Sequence, residues 1–347
     1  MAVPLPFSEN VEAIPFDEAE DIERTIAVMK QLLRQQHERS GRYQRDVHVK
    51  AHCCARGQLQ VPENLPPELA QGLFSQPQTY PAFVRFSNSA PWAQSDAVPD
   101  GRGMAIQVEN VEGETLATGT AAAATQDFVM VNHPVFIAKE VKSYLRIEEA
   151  RLQASTQPVQ LLTRLLSGAL NPCNWPWREA LAVARVGAKA FAHPATYTYY
   201  SMAPIRYGNY VAKYRVLPSA AIGGSRLREV SSFALQKNAM RALLLETLQR
   251  EELKFDVQVQ LRTSEISMPV ENATIEWPEQ ESPYRTVAQL LLPRQDCSLL
   301  DAEGERRSFN VWNALSEHRP LGGINRVRRP AYALSAGLRS QQQQAGP

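Results

Sequence analysis

The chain has 347 residues, 44% of them hydrophobic and 21% charged, and its formal net charge is +1. A chain of this length can bury one large core or two smaller ones. The near-zero charge excludes a strong electrostatic attraction to nucleic acid or to an anionic membrane. No apolar run approaches the ~20 residues that a membrane-spanning helix needs.

The cysteines and the first residues of the chain predict a cytoplasmic location. The spacing of the four cysteines matches neither a zinc motif nor a disulfide framework, which indicates reduced thiols. Residues 1–6 lack the charged and apolar regions of a signal peptide. We interpret the adjacent Cys53 and Cys54 as apolar filler, with a redox role as the alternative.

The first 40 residues are predicted to form an extended segment followed by a helix. Residues 1–18 are rich in proline, and residues 19–38 carry Ile22, Ile26 and Met29 at helical spacing after an acidic first turn.

Residues 41–340 are predicted to form one α+β domain with an antiparallel sheet. Alternating apolar and polar residues predict strands at 47–51, 58–61, 82–87, 104–108, 127–131, 210–216, 254–261 and 287–292. Helical patterns cover 139–192, around 144–152, 159–170 and 177–191, and also 234–251. Residues 114–126 resemble an exposed insertion, and residues 341–347 a disordered polar tail. Strands this short and numerous would close well as a barrel.

Residues 45–50, Arg-Asp-Val-His-Val-Lys, contain the first candidate site residue, His48. In a strand, His48 and Lys50 share one face. That face is either an exposed polar surface or a site where His48 moves a proton near neutral pH. Arg45 has the opposite parity, so it joins such a site only if the chain bends or the strand begins after it.

Two further strands offer polar groups. Arg85 and Ser87 share a face, which either points to solvent or directs the Ser87 hydroxyl at a histidine ring nitrogen and Arg85 at an acidic cofactor group. The strand at 127–131 ends in Asn132-His133-Pro134, which is typical of a turn. Asn132 is therefore either a strand-end cap or a second polar group facing a bound ligand.

Arg328 and Tyr332 lie four positions apart, which on a helix means one turn apart on the same face. A neighbouring guanidinium favours the anionic form of a tyrosine, and a phenolate is a hard ligand suited to ferric haem iron. Pro330 suits the first turn of a helix, which would leave Arg328 in the preceding turn. Alternatively, the arginines at 326, 328 and 329 form a basic patch for phosphate or nucleic acid.

In this order the four segments resemble the haem catalase superfamily. Residues 100–106, Asp-Gly-Arg-Gly-Met-Ala-Ile, are also similar to that superfamily's Asp-x-Arg-Gly-Phe-Ala-Val stretch. The short, single-domain catalase-related peroxidases look most similar, since their ends run much like residues 318–326. The resemblance covers residues 42–340. It implies an antiparallel β-barrel with surrounding helices, and a haem b buried between the barrel and the C-terminal helix.

The resemblance implies a role for each candidate residue. His48 would be the distal acid–base group, Ser87 its hydrogen-bond partner, and Tyr332 the proximal iron ligand held by Arg328. The remaining arginines would contact the haem propionates or its proximal side: Arg45, Arg85 and Arg339. Asn132 would be the distal amide. An ungapped match places Val131 at that position instead, so it stays open whether Val131 or Asn132 faces the pocket.

The implied activity is a peroxidase that reduces organic hydroperoxides and hydrogen peroxide with a small-molecule reductant, together with weak catalase activity. The alternative is a fatty-acid hydroperoxide rearrangement enzyme of the catalase-related allene oxide synthase type. Those enzymes place a Thr immediately before the distal His, where this chain has Val47. No nucleic-acid partner and no membrane span are expected, and a homodimer is left open.

Overall fold

The computed structural model describes residues 3–116, 124–154, 191–219 and 236–345, together with Leu181 and residues 183–185. The helices predicted at 159–170 and 177–191 lie wholly or mostly outside the described residues, as does the middle of the insertion predicted at 114–126.

Nine antiparallel strands occur among the described residues. They are β1 (Ala51–Val61), β2 (Gln78–Asn88), β3 (Arg102–Val108), β4 (Gln126–Val131), β5 (Tyr199–Tyr200), β6 (Ile205–Tyr207), β7 (Tyr210–Pro218), β8 (Leu253–Leu261) and β9 (Arg285–Leu292). Their order in the sheet is β5-β4-β3-β2-β1-β9-β8-β7-β6, and β5 also pairs with β7. That pairing closes eight of the strands into a ring. The prediction of an antiparallel barrel is therefore confirmed, and closure removes the free sheet edges.

One face of the strands fills the barrel. Phe86 of β2, Met104 of β3 and Phe128 of β4 belong to the same buried cluster as Val257 of β8 and Leu290 of β9. Successive side chains alternate between the two faces of a strand. The residues between these core positions therefore lie on the outer face of the barrel, and that face carries the candidate site.

The strand predicted at 47–51 is wrong for residues 47–50, because β1 begins only at Ala51. His48 has a left-handed backbone, with φ at 59°, which is incompatible with a strand. A register shift between Ala51 and Cys53 follows. Arg45 precedes β1, so the alternation of side chains along a strand does not apply to it, and it can approach the same site as His48.

The α-helices whose bounds are described are α1 (Glu18–Ser40), α2 (Val141–Gln153), α3 (Ala239–Arg250), α4 (Asp301–Arg306) and α5 (Gly323–Ala345). Leu181 and residues 183–185 are helical as well. Helix α1 packs against α2, and both contact α5. The helices predicted at 19–38, 144–152 and 234–251 are confirmed, although the last begins only at Ala239. Within the residues described, no helix is both long and apolar enough to span a bilayer.

Helix α5 begins at Gly323 and includes Pro330, so Arg328 and Tyr332 lie on one continuous helix. The prediction that Pro330 opens this helix is wrong. Carboxylates of Glu12 and Glu271 accept hydrogen bonds from the amides of Gly322 and Gly323, which gives the first amides partners and suits the positive end of the helix dipole. The helix also continues to Ala345, where we expected a disordered tail from residue 341.

Arg326 ties the start of α5 to the N-terminal segment. Its guanidinium is bonded to carboxylates of Glu12, Glu18 and Glu271, the last at 2.8 Å. The Arg326 side chain is only 14% exposed, so these charges are largely shielded from water. These ion pairs therefore help to fix the position of α5, and with it that of Tyr332, in the fold.

We expect Arg326→Met to destabilise the protein by about 3 kcal/mol, since it leaves three carboxylates together without their counter-charge. Urea unfolding followed by circular dichroism measures the change. The matched control is Arg250→Met on α3, whose ion pair with Glu246 is exposed and should contribute about 0.5 kcal/mol or less. Equal losses from both substitutions would contradict the role given to Arg326.

Candidate functional site

One ring nitrogen of His48 is held against the sheet. Nδ1 lies 2.6 Å from the carbonyl oxygen of Asn88 and 3.1 Å from Oγ of Ser87. A carbonyl oxygen only accepts hydrogen bonds, so Nδ1 carries the proton, and Nε2 of the neutral ring keeps a free lone pair. The predicted pairing of Ser87 with a histidine is thus present in the structure, with a backbone carbonyl as the closer partner.

Gly103 provides the space for the imidazole. A Cβ atom on Gly103 would lie 2.5 Å from Nδ1 of His48 and 2.8 Å from Oγ of Ser87. Any side chain larger than hydrogen would therefore displace the ring. The strained backbone of His48 is held from the other side by Arg85, whose Nη2 donates to the His48 carbonyl oxygen at 2.9 Å.

The imidazole is neutral at physiological pH. Desolvation by burial and the charges of Arg85, Arg328 and Arg45 lower the pKa of His48 to about 4, against the hydrogen bond with the Asn88 carbonyl, which raises it. The residue as a whole is half-buried, but its ring is enclosed between Gly103, Ser87 and Asn88, and it is the ring that titrates.

Tyr332 meets Arg328 on that helix as the sequence predicts. Nη2 of Arg328 donates to the Tyr332 hydroxyl oxygen at 2.9 Å, and Nη1 donates to Oδ1 of Asn325 at 3.1 Å. Arg329 lies elsewhere, over the ring of Trp312 at 4.8 Å. Since Arg326 is held by carboxylates and Arg328 by Tyr332, the arginines of this segment do not form the shared basic patch considered above.

The other three predicted arginines converge on Glu305 of α4. Nη1 of Arg45 lies 3.0 Å from Oε2 of Glu305, and Nη2 of Arg85 lies 3.9 Å from Oε1. Arg339 of α5 donates to the Glu305 carbonyl oxygen at 3.4 Å. Two guanidinium groups thus face the Glu305 carboxylate and a third binds its backbone carbonyl. Among the contacts of the described residues, one carboxylate therefore stands against three positive charges.

Burial strengthens the mutual repulsion of these arginines. Desolvation and the charge of Arg45 lower the pKa of Arg85 to about 9 and that of Arg339 to about 10. The Nε atoms of Arg85 and Arg339 are buried, with no hydrogen-bond partner in the part of the chain that the structure describes. Both features indicate a place for an anionic group.

Small residues form an accessible apolar floor next to this cluster. Ala105 of β3 and Val129 of β4 are directly paired, and Ala105 also pairs with Arg85 of β2. These two are half-buried, whereas every other residue of β3 and β4 is buried. The centre of the outer face therefore presents apolar side chains that the described residues do not fully cover.

The structure places Val131 and Asn132 differently. Val131 pairs with Gly103, which pairs with Ser87, so these three residues form one row across β4, β3 and β2. The amide side chain of Asn132 accepts a hydrogen bond from the Arg102 backbone N–H at 2.8 Å. Asn132 thus caps the end of β4, and its catalytic role stays a prediction.

These groups fit a haem. Tyr332 offers an oxygen ligand of the kind used by catalases, with Arg328 against it. The uncompensated guanidinium charges match the two propionates of a haem, and the floor of Ala105 and Val129 suits a porphyrin face. Within the described ranges, no cluster of three or more His, Cys, Asp or Glu side chains could hold a metal ion.

Several contributors to the site escaped sequence reasoning. Glu305 comes from a segment without a recognisable motif. Asn88 directly follows Ser87, but it contributes its backbone carbonyl, which no side-chain motif reveals. Asn325 stands three positions before Arg328, so the i,i+3 rule for helices would have found it.

We expect Gly103→Ala to detach His48 from Asn88 and Ser87, because the added Cβ overlaps the ring. The proton NMR signal of the hydrogen-bonded Nδ1–H should disappear from the protein without cofactor. The control is Gly337→Ala on α5, where a Cβ meets no atom within 4 Å, and the signal should remain. A retained signal in Gly103→Ala would contradict the close contact.

Comparison with known proteins is informative at the level of structure only. No protein-family model matches the chain, and none of the curated proteins does. Among solved structures, a fungal catalase matches with a TM-score of 0.65 and 16% sequence identity. The match covers 90% of this chain and 62% of the fungal enzyme.

Two further catalases match over nearly the whole chain. Catalase A from Saccharomyces cerevisiae has a TM-score of 0.66 at 17% identity, with 97% of this chain and 67% of its own covered. A bacterial catalase has a TM-score of 0.65 at 17% identity, with 96% and 64% covered. This chain thus spans roughly two thirds of the length of these enzymes. It has the catalase fold.

Proposed function

We propose that this protein is a haem peroxidase that reduces organic hydroperoxides and hydrogen peroxide, with weak catalase activity. The observation that carries the proposal is the orientation of His48. Its Nδ1–H is fixed by the sheet, which leaves Nε2 as a free base. The match to catalases supports the same chemistry.

Each part of the site would hold one part of a haem b. Tyr332 would bind the iron, and Arg328 places its charge against the ligating oxygen. Arg45, Arg85 and Arg339 would hold the propionates. The bound haem would supply the electron transfer that breaks the peroxide bond.

His48 would move one proton between the two peroxide oxygens. Nε2 takes the proton from the terminal oxygen of the hydroperoxide and then gives it to the other oxygen as the O–O bond breaks. Ser87 and the Asn88 carbonyl hold the ring during both transfers. A hydroperoxide, two electrons from a small-molecule reductant and two protons then yield an alcohol and water.

Tyr332→Phe should weaken the binding of ferric haem at least tenfold and abolish the phenolate-to-iron charge-transfer band, because the oxygen ligand is lost. Titration of haem into the purified protein, followed by absorption, measures both. Tyr80→Phe is the control, since Tyr80 is buried in the barrel core away from the site. Unchanged binding and an unchanged spectrum in Tyr332→Phe would contradict the proposal.

His48→Gln should slow the reaction with peroxide by a hundredfold or more while haem stays bound, since it removes the base but keeps a polar side chain. Stopped-flow absorption measures the rate, and His37→Gln on α1 is the control. An unchanged rate in His48→Gln would refute its role.

The pH dependence follows from the lowered pKa of His48, about 4. Only the neutral imidazole accepts a proton, so the rate should stay constant from neutral pH down to about 5 and fall through about 4. A half-maximal rate near pH 6.5 would contradict the enclosed position of the ring.

A further inference from the structure

The row formed by Ser87, Gly103 and Val131 determines what lies beside His48. Directly paired residues of an antiparallel sheet place their side chains about 5 Å apart on the same face. The ring of His48 occupies the space above Gly103, where a Cβ would lie 2.5 Å from Nδ1. Ser87 therefore flanks this space from β2 and Val131 flanks it from β4.

The two flanks differ in chemistry. Ser87 is polar, and its Oγ contacts the histidine on the β2 side of the row, 3.1 Å from Nδ1. Val131 is 5% exposed and can neither donate nor accept a hydrogen bond. The amide oxygen of Asn132, one residue later, accepts from the Arg102 backbone N–H at 2.8 Å. The β4 side of the row thus offers no acceptor, because Val131 is apolar and the group of Asn132 that lacks a partner among the described residues is Nδ2, which only donates.

Hydrogen peroxide and an organic hydroperoxide differ in the hydrogen bonds that they need beside Val131. Either molecule can give one O–H to Nε2 of His48. Hydrogen peroxide has a second O–H, and next to Val131 that group finds no partner in the row, which is unfavourable for a buried polar group. An organic hydroperoxide carries a carbon substituent at this position, and that group packs against Val131 without loss.

From this count of hydrogen bonds we infer that Val131 is the specificity residue of the site and selects hydroperoxides with an apolar substituent over hydrogen peroxide. The inference rests on the proposed function, because it assumes that His48 receives the peroxide proton. It adds the residue that sets the preference and the substrate class that is preferred.

The test is Val131→Thr, which keeps the shape of the side chain and replaces a methyl group with a hydroxyl. The rate constants for cumene hydroperoxide and for hydrogen peroxide are measured by stopped flow on the haem-loaded protein. We expect their ratio to shift about tenfold toward hydrogen peroxide, as is typical of one hydrogen bond to a buried group. Val131→Thr should do so by raising the rate with hydrogen peroxide, whereas Val131→Ala, which removes apolar contact and adds no polar group, should leave that rate unchanged.

Two further variants complete the test, one as a control for a buried hydroxyl elsewhere in the barrel and one as a replacement for Val131→Thr. Val259→Thr places the same hydroxyl in β8, where Val259 is 2% exposed, and should leave the ratio unchanged. Val131→Ser carries the hydroxyl on a smaller side chain and replaces Val131→Thr if that variant does not fold.

A second readout needs no turnover. Fluoride binds ferric haem proteins and accepts hydrogen bonds, so Val131→Thr should bind fluoride several-fold more tightly, and Val131→Ala should not. An unchanged peroxide ratio and unchanged fluoride affinity in a folded hydroxyl variant would overturn the inference alone. A wild-type protein that binds haem but reacts with neither peroxide would overturn the inference and the proposed function together.

Discussion

The contact between the imidazole of His48 and the bare backbone of Gly103 is the constraint on which the site depends. A histidine in a left-handed conformation is strained, and it persists only where its surroundings hold it. Gly103 leaves the space, Ser87 and Asn88 fix one ring nitrogen, and Arg85 holds the carbonyl. The barrel thereby presents one nitrogen as a base, in a place where desolvation keeps the ring neutral.

The opposite side of the site is built by helix α5, which the glutamates around Arg326 fix to the N-terminal segment. On this helix Arg328 meets Tyr332, and further along Arg339 joins Arg45 and Arg85 near Glu305. We propose that the phenol oxygen of Tyr332, the apolar floor and the excess of positive charge together form one binding site. Each of these features alone is common in proteins, and their combination is what a haem requires.

The sequence predicts the barrel well, because strands with one buried face alternate visibly, as residues 82–87 and 254–261 do. It fails at His48, whose neighbours have strand-like composition while its backbone turns out of the β region to place the ring over Gly103. It also could not decide between Val131 and Asn132, since a slip of one residue exchanges the two faces. The register with Gly103 places Val131 in the row with Ser87, which favours Val131. Pro330 led to a prediction of a helix that begins too late. The glutamates that bind the first amides of α5, near Gly323, lie far away in the chain and could not be recognised from the local sequence.

The central claim is that His48 and Tyr332 face one flat cofactor from opposite sides. The most direct test is a crystal structure of the protein loaded with ferric haem. The account predicts iron bonded to the hydroxyl oxygen of Tyr332, Nε2 of His48 over the other face, and propionates among Arg45, Arg85 and Arg339. A haem bound elsewhere, or a Tyr332 oxygen still bonded only to Arg328, would contradict it.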